Sequence, residues 1–280
     1  MSLLAGLEAA AALPARVCFT TPSSSVTIST AELWERAADV AVSLGRADVP
    51  VAVVLDNSPE AVTAVLGTLR SGRDLVSLPL PARSDDPSSY LEQSHRLAGV
   101  AEAEQVAVAD EWLAFFDGAS GAERLVGLSS LTVGGSGGPA DDGSSAVVQH
   151  TSGTTGDPSG VTVSQDRLAA SCEAICATLE PGSSAVMASW LPLSHDMGLV
   201  GGLLTSWWAA GTGRSSSGTL ALARPEDFVR SPGWWIGQLE HFSASITAMP
   251  PAGLDALSRL LRAHVVRISH RWRRRSSVRR

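Results

Sequence analysis

The stretch from Pro50 to Leu80 constrains the fold most. PVAVVLD (50–56) is a short β-branched run that reads as a buried strand. Ser58 and Pro59 then offer a side-chain cap and a preset first turn for a helix through AVTAVLGTLR, which stops at Gly72 before a second strand-like run, DLVSLPL (74–80). Strand, helix, strand in this order implies parallel pairing with the helix crossing a sheet face.

The alternation continues on both sides. Ser29 and Glu32 have capping-box spacing ahead of Leu33, Ala37, Val40 and Leu44. A helix over about 88–98 and a strand at 105–109 follow. GLSSLTVGGSGGPADDGSS (127–145) breaks every periodicity and reads as a flexible connection. Beyond it come strands at 145–149 and 160–164, a helix over 166–179 with Leu168, Cys172, Ile175 and Leu179 on one face, and a strand at 185–190. A strand at 219–223, a helix near 233–241, a strand at 244–249 and a helix near 252–263 complete the pass. The expected fold class is α/β, with helix-covered, mixed but largely parallel sheets in two subdomains. The expected division is 1–130, a linker at 131–144, 145–264, and a basic, disordered tail at 265–280.

All 21 basic residues are Arg, and the chain contains no Lys. Seven of those Arg lie in 265–280 with no acid, so residues 1–264 carry 14 Arg against 28 Asp and Glu. An acidic body argues against nucleic acid as partner of the main domain, since phosphate-backbone affinity comes from clustered cations. Cys18, Cys172 and Cys176 form no disulfide framework and suit a reducing cytoplasm. The N-terminal run lacks a basic region and contains Glu8, unlike a signal peptide, and the longest apolar segment, 197–211, is too short for a membrane span. No motif with metal-ligand spacing occurs. GGSGG matches a nucleophile elbow at Gly134, Ser136 and Gly138, but no helix follows it as that motif requires.

TSGTTGDPSG (151–160) lies between two strand-like segments. A Walker loop would need a lysine and a following helix, and this run has neither. Thr151, Ser152, Thr154 and Thr155 supply hydroxyls, while Gly153 and Gly156 let backbone approach an anion, so the run is either a polyphosphate cradle or a long polar hairpin turn. In SWLPLSHDMGLVGG (189–202) a strand ends in a Trp-Leu-Pro turn and an apolar helix follows His195 and Asp196. A lone histidine so placed is more often structural than catalytic.

Together the two motifs are specific. QHTSGTTGDPSGVTVS (149–164) resembles the signature loop of the adenylate-forming superfamily, and SWLPLSHDMGLVGGLL (189–204) resembles its next block in the form found in fatty acyl-AMP ligases and long-chain acyl-CoA synthetases. VTISTAELWERAADVAVSL, LRSGRDLVSLPLP and RPEDFVRSPGWWIGQLEHFSASITAMPP are similar to flanking blocks, so the resemblance covers about residues 20–263 in order. It implies ATP-dependent, Mg²⁺-assisted activation of a fatty acid or related carboxylate to acyl-AMP, with an acyl carrier protein or coenzyme A as possible acceptor. By motif, Thr151, Ser152, Gly153, Thr154, Thr155 and Gly156 would contact phosphates. His195 would lie between the nucleotide and acyl pockets, and the helix after Gly198 would line the acyl tunnel.

The chain departs from the family pattern in ways that bear on activity. Ser159 stands where the loop usually carries lysine, and Gln165 where a histidine is usual, which would weaken the phosphate grip. Nothing matches the family's Y-G-x-T-E block, and no Lys exists to act as the catalytic one. The expectation is a truncated, impaired N-terminal portion of such a ligase, its last 16 residues foreign to the family. The alternative is a non-catalytic module that binds acyl chains, nucleotide or a partner.

Overall fold

The computed structural model describes residues 1–45, 48–82, 85–132, 145–151 and 159–263, with backbone alone at 151, 159 and 261–263. In chain order the elements are α1 (Leu3–Ala11), β1 (Arg16–Thr20), β2 (Ser25–Ser29), α2 (Thr30–Leu44), β3 (Val51–Val54), α3 (Pro59–Ser71), β4 (Leu75–Leu78) and α4 (Pro87–Val100). Then come β5 (Val106–Val108), α5 (Asp110–Phe116), β6 (Leu125–Gly127), β7 (Ala146–Thr151), β8 (Ser159–Ser164), α6 (Gln165–Leu179) and β9 (Val186–Ser189). A π-helix (Met197–Leu204) precedes α7 (Thr205–Gly211), β10 (Thr219–Ala223), α8 (Pro225–Arg230), α9 (Pro232–His241), β11 (Ile246–Thr247) and α10 (Pro251–Ala263).

Two sheets result, ordered β6-β5-β3-β4-β7-β8 and β11-β9-β10-β1-β2. Both are parallel except for the final pairs, β7 with β8 and β1 with β2. Each sheet takes strands from both sides of 131–144, because β7 and β8 join β3–β6 while β1 and β2 join β9–β11. The sheets therefore interleave along the chain instead of following the division at 131–144 that composition suggests. Residues 133–144, with the GGSGG match, and the Arg-rich stretch lie outside the described residues.

The core forms three apolar layers. The largest cluster joins Val53 and Val147 of one sheet to Phe19 and Leu222 of the other through Leu33, Leu66, Cys172 and Trp207, so α1, α2, α3, α6 and α7 make a helical layer between the sheets. Leu91, Leu97 and Phe116 cover the outer face of the six-stranded sheet, and Phe228, Trp235 and Leu257 that of the other. β3 and β4 are buried at every position, as parallel strands covered on both faces must be.

Local chemistry explains the element ends. Ser58 Oγ accepts from Ala61 N at 3.1 Å behind Pro59, and Gly72 closes α3 in the left-handed region at φ 81°. Ser29 Oγ accepts from Glu32 N at 3.1 Å, but the reciprocal arm of the expected capping box is missing: Glu32 instead pairs with Arg36 at 2.6 Å. On α6 the buried face runs through Leu168, Cys172 and Cys176, whereas Leu179, expected on that face, is exposed. Neither α1 nor the β1–β2 hairpin is foreseen from sequence; β2 is an edge strand with only Ile28 buried, too little alternation to read.

Candidate functional site

β7 and β8 form an antiparallel hairpin whose last pair is Thr151 with Ser159. Because β7 runs parallel to β4 and through it to β3, the intervening loop leaves from the carboxyl edge of the six-stranded sheet. Ser152, Gly153, Thr154, Thr155 and Gly156 lie outside the described residues, and Thr151 is described only by its backbone. What the structure places is the root of that loop, Gln149 and His150.

The second motif follows β9. Its turn is held from three directions. Asn57, just beyond β3 and 4% exposed, donates through Nδ2 to the carbonyls of Leu191 (3.0 Å) and Ala223 (2.7 Å), while its Oδ1 accepts from Leu193 N at 3.1 Å. The Ser194 carbonyl accepts from Ser77 Oγ on β4 at 3.2 Å and from Gln149 Nε2 on β7 at 3.4 Å. Trp190 stacks on Phe228 with ring centroids 3.8 Å apart and planes 2° from parallel. These contacts bring the two motifs together at the level of Gln149 and Ser194, next to His195.

The His195 side chain is exposed. Its backbone is fully used: His195 N donates to Pro192 O at 3.1 Å, and its carbonyl accepts from Gly198 N (3.0 Å) and Leu199 N (2.8 Å). Asp196 caps the following helix by accepting from Met197 N at 2.7 Å. Gly198 packs so tightly under the turn that a Cβ there would sit 2.1 Å from Pro192 O. The helix expected after His195 starts as a π-helix, with Thr205 Oγ1 donating to Val200 O at 2.7 Å, and becomes regular only at Thr205.

Gln165 is not part of this site. Pairing of Ala146 with Ser164 puts it at the far end of β8, about 17 Å of extended chain from the loop's root. Its Nε2 donates instead to Ser145 Oγ at 2.6 Å and to Leu69 O at 3.4 Å, deep in the fold. Its replacing a family histidine therefore takes nothing from the phosphate grip by direct contact.

Electrostatics adds two groups that sequence reading does not single out. His150, on the hairpin, is held below the ordinary imidazole range by burial, with the backbone groups of Leu97 and Ser77 opposing. Asp56 lies in a polar cleft of about 390 Å³ with Thr20, Glu60, Asp110, Glu111 and Arg224. Burial pushes its carboxyl up despite the Ser58 hydrogen bonds and nearby Arg224. In the sequence it is only an Asp at the end of a strand-like run, and its burial comes from the fold. The three thiols are free and buried, and burial lifts Cys172 to about 11, which makes it inert. Among the described residues no group of three or more His, Cys, Asp or Glu could hold a metal ion, and no helix is long and apolar enough to cross a membrane.

Two interleaved, largely parallel sheets with a glycine- and threonine-rich hairpin loop at one carboxyl edge define the fold of adenylate-forming enzymes. The chain belongs to the AMP-binding enzyme family, whose model matches residues 7–280 and so runs through the arginine-rich stretch expected to be foreign to it. It is similar to a 4-hydroxyphenylalkanoate adenylyltransferase of Mycobacterium marinum, 27% identical over 80% of this chain. Over 39% of the chain it is 30% identical to a medium-chain fatty acid–acyl-carrier-protein ligase of Teredinibacter turnerae, of which it covers 16%. Among solved structures, a fatty acid AMP ligase from Legionella pneumophila superposes over 98% of this chain and 47% of its own, with a TM-score of 0.77 at 21% identity. The chain spans 43%, 39% and 37% of the length of three curated relatives that it matches over four-fifths of its own.

Proposed function

We propose that this chain binds ATP and a fatty-acid carboxylate at the junction of the TSGTTG loop and the His195 turn, for conversion to acyl-AMP and pyrophosphate. The Ser194 carbonyl carries this reading: held by Gln149 from the strand that leads into the loop, it sets His195 beside the loop's root.

ATP supplies the adenylyl group and, as leaving group, pyrophosphate. A carboxylate oxygen forms the new bond to the α-phosphorus, and the electron pair of the α–β bridge departs on pyrophosphate. Hydroxyls and amides of Thr151, Ser152, Gly153, Thr154, Thr155 and Gly156 meet the departing phosphates, where preplaced donors matter most. Neutral donors of this kind suit phosphate oxygens, and Mg²⁺ would arrive on the triphosphate, as is usual for an ion that keeps its waters and one or two carboxylates at most. His195 stands between nucleotide and acyl group, and the apolar π-helix beyond Gly198 forms the acyl wall. An acyl carrier protein or coenzyme A is the onward acceptor, and the buried free thiols suit a reducing cytoplasm.

Ser159 stands where the family loop carries a lysine, so one cation is missing from the phosphate grip, worth on the order of a hundredfold in rate where charge develops. That replacement slows turnover at the loop and favours a second reading, a module that binds without turnover. Fatty-acid-dependent exchange of labelled pyrophosphate into ATP separates the two. Exchange by the purified chain supports the ligase. Binding of ATP or fatty acid without exchange supports the module, and no binding of either overturns both.

A further inference from the structure

Asn57 belongs to neither motif, yet its side chain is spent on the turn that carries His195. All three of its partners lie more than 130 residues away in sequence: Leu191 O, Ala223 O and Leu193 N. It does not serve its own helix, because Ser58 caps α3. Both amide hydrogens point at carbonyls and the amide oxygen at an N–H, so the reversed orientation would set oxygen against oxygen twice. Asn57 thus joins the carboxyl end of β3 in one sheet to the ends of β9 and β10 in the other.

The remaining contacts make that joint consequential. Leu191 and Leu193 flank Pro192, whose carbonyl accepts from His195 N, and a Cβ on Gly198 would meet the same carbonyl at 2.1 Å. A shift of the Leu191–Leu193 backbone therefore carries His195 with it. Ser77 and Gln149 hold the turn only at the next carbonyl, Ser194, with longer bonds of 3.2 and 3.4 Å. An apolar residue at 57 could fill the space but could not fix the direction of three peptide groups at once.

We propose that Asn57 is a positioning residue, which sets the His195 side chain through the Leu191–Leu193 backbone. The proposal rests on the reading of His195 as part of an acyl-adenylate site, and its test is built to fail separately. The probe is a dodecanoyl sulfamoyl adenosine, an acyl-adenylate mimic, titrated by calorimetry into the full chain and into Asn57→Ala, His195→Ala and the double variant. Asn57→Asp, which keeps the acceptor for Leu193 N and the shape, serves if Asn57→Ala does not fold.

The expected result is a loss of about tenfold in affinity for either single variant and no further loss in the double, since positioning a missing ring is without effect. Imidazole ¹³C–¹H spectra give a second readout that needs no ligand: the His195 cross-peak, identified by its absence in His195→Ala, should move or broaden in the Asn57 variant. If the wild type does not bind the mimic while that peak still moves, the functional reading fails and the positioning role stands. Additive losses, or an unmoved His195 peak with unchanged affinity, would overturn the proposal even if the melting temperature falls.

Discussion

Gln165 Nε2 donates to the Ser145 hydroxyl at 2.6 Å, which seats this amide beneath the hairpin's base, at the opposite end of β8 from the loop. The two departures from the family loop, Ser159 and Gln165, are therefore not equivalent. Ser159 pairs with Thr151 at the mouth of the loop, where a cation could reach a phosphate. Ser159→Lys should raise fatty-acid-dependent pyrophosphate exchange by about tenfold or more. Gln165→His should leave exchange within about twofold and lower stability by about 1 kcal/mol, the worth of a lost buried hydrogen bond, read by urea denaturation.

His150 gives the fold a defined response to acid. Its imidazole is held below the ordinary value by burial, so between that ordinary value near 6.5 and the lower folded value the unfolded chain binds a proton that the folded chain does not. The His150 contribution to stability is accordingly complete above pH 6.5 and is lost as pH falls through this window. Melting temperatures measured from pH 7.5 to 5 should drop more steeply for the wild type than for His150→Phe.

Asp56 works in the other direction. Burial raises its carboxyl, so the folded state retains a proton at pH values where the unfolded chain has released it, and stability drops as pH rises from about 3.8 through the folded value. Asp56→Asn keeps an acceptor for Ser58 N, which Asp56 Oδ1 meets at 3.1 Å. Thermal melts should show the variant more stable than the wild type at pH 7 and equal to it at pH 3.

Gly198 leaves no room for even a methyl group, and the obstructing atom is the carbonyl of Pro192, whose two neighbours, Leu191 and Leu193, Asn57 holds in place. Gly198→Ala should cost about 1–3 kcal/mol in urea unfolding. Gly233→Ala, at a helix position where a Cβ meets nothing within 4 Å, is the matched control and should be neutral or slightly stabilising.

Sequence alone reveals the elements whose signals are local. The Ser58–Pro59 start and Gly72 stop of α3 are chemical instructions confined to a few residues, and they appear where expected. The strands flanking the TSGTTG loop were legible in the same way. Sheet membership was not, because β1 pairs with β10 across most of the chain and no local pattern announces a partner so distant. The distance of Gln165 from the loop is hidden in the sequence for a similar reason: which end of β8 faces the loop depends on the hairpin register. Asn57 and Asp56 carry no motif at all, and their importance comes from what the other sheet brings against them.

The interleaving of the sheets also orders events in time. By residue 164 every strand of the six-stranded sheet has been synthesised, and its pairs can close while the chain is still growing. β1, made first, must wait for β10, about 200 residues later, before it gains its parallel neighbour. Until then β1 has strand pairing on one edge only, with β2, and the five-stranded sheet, with the His195 turn it supports, can close only after the strands of the six-stranded sheet have all been made.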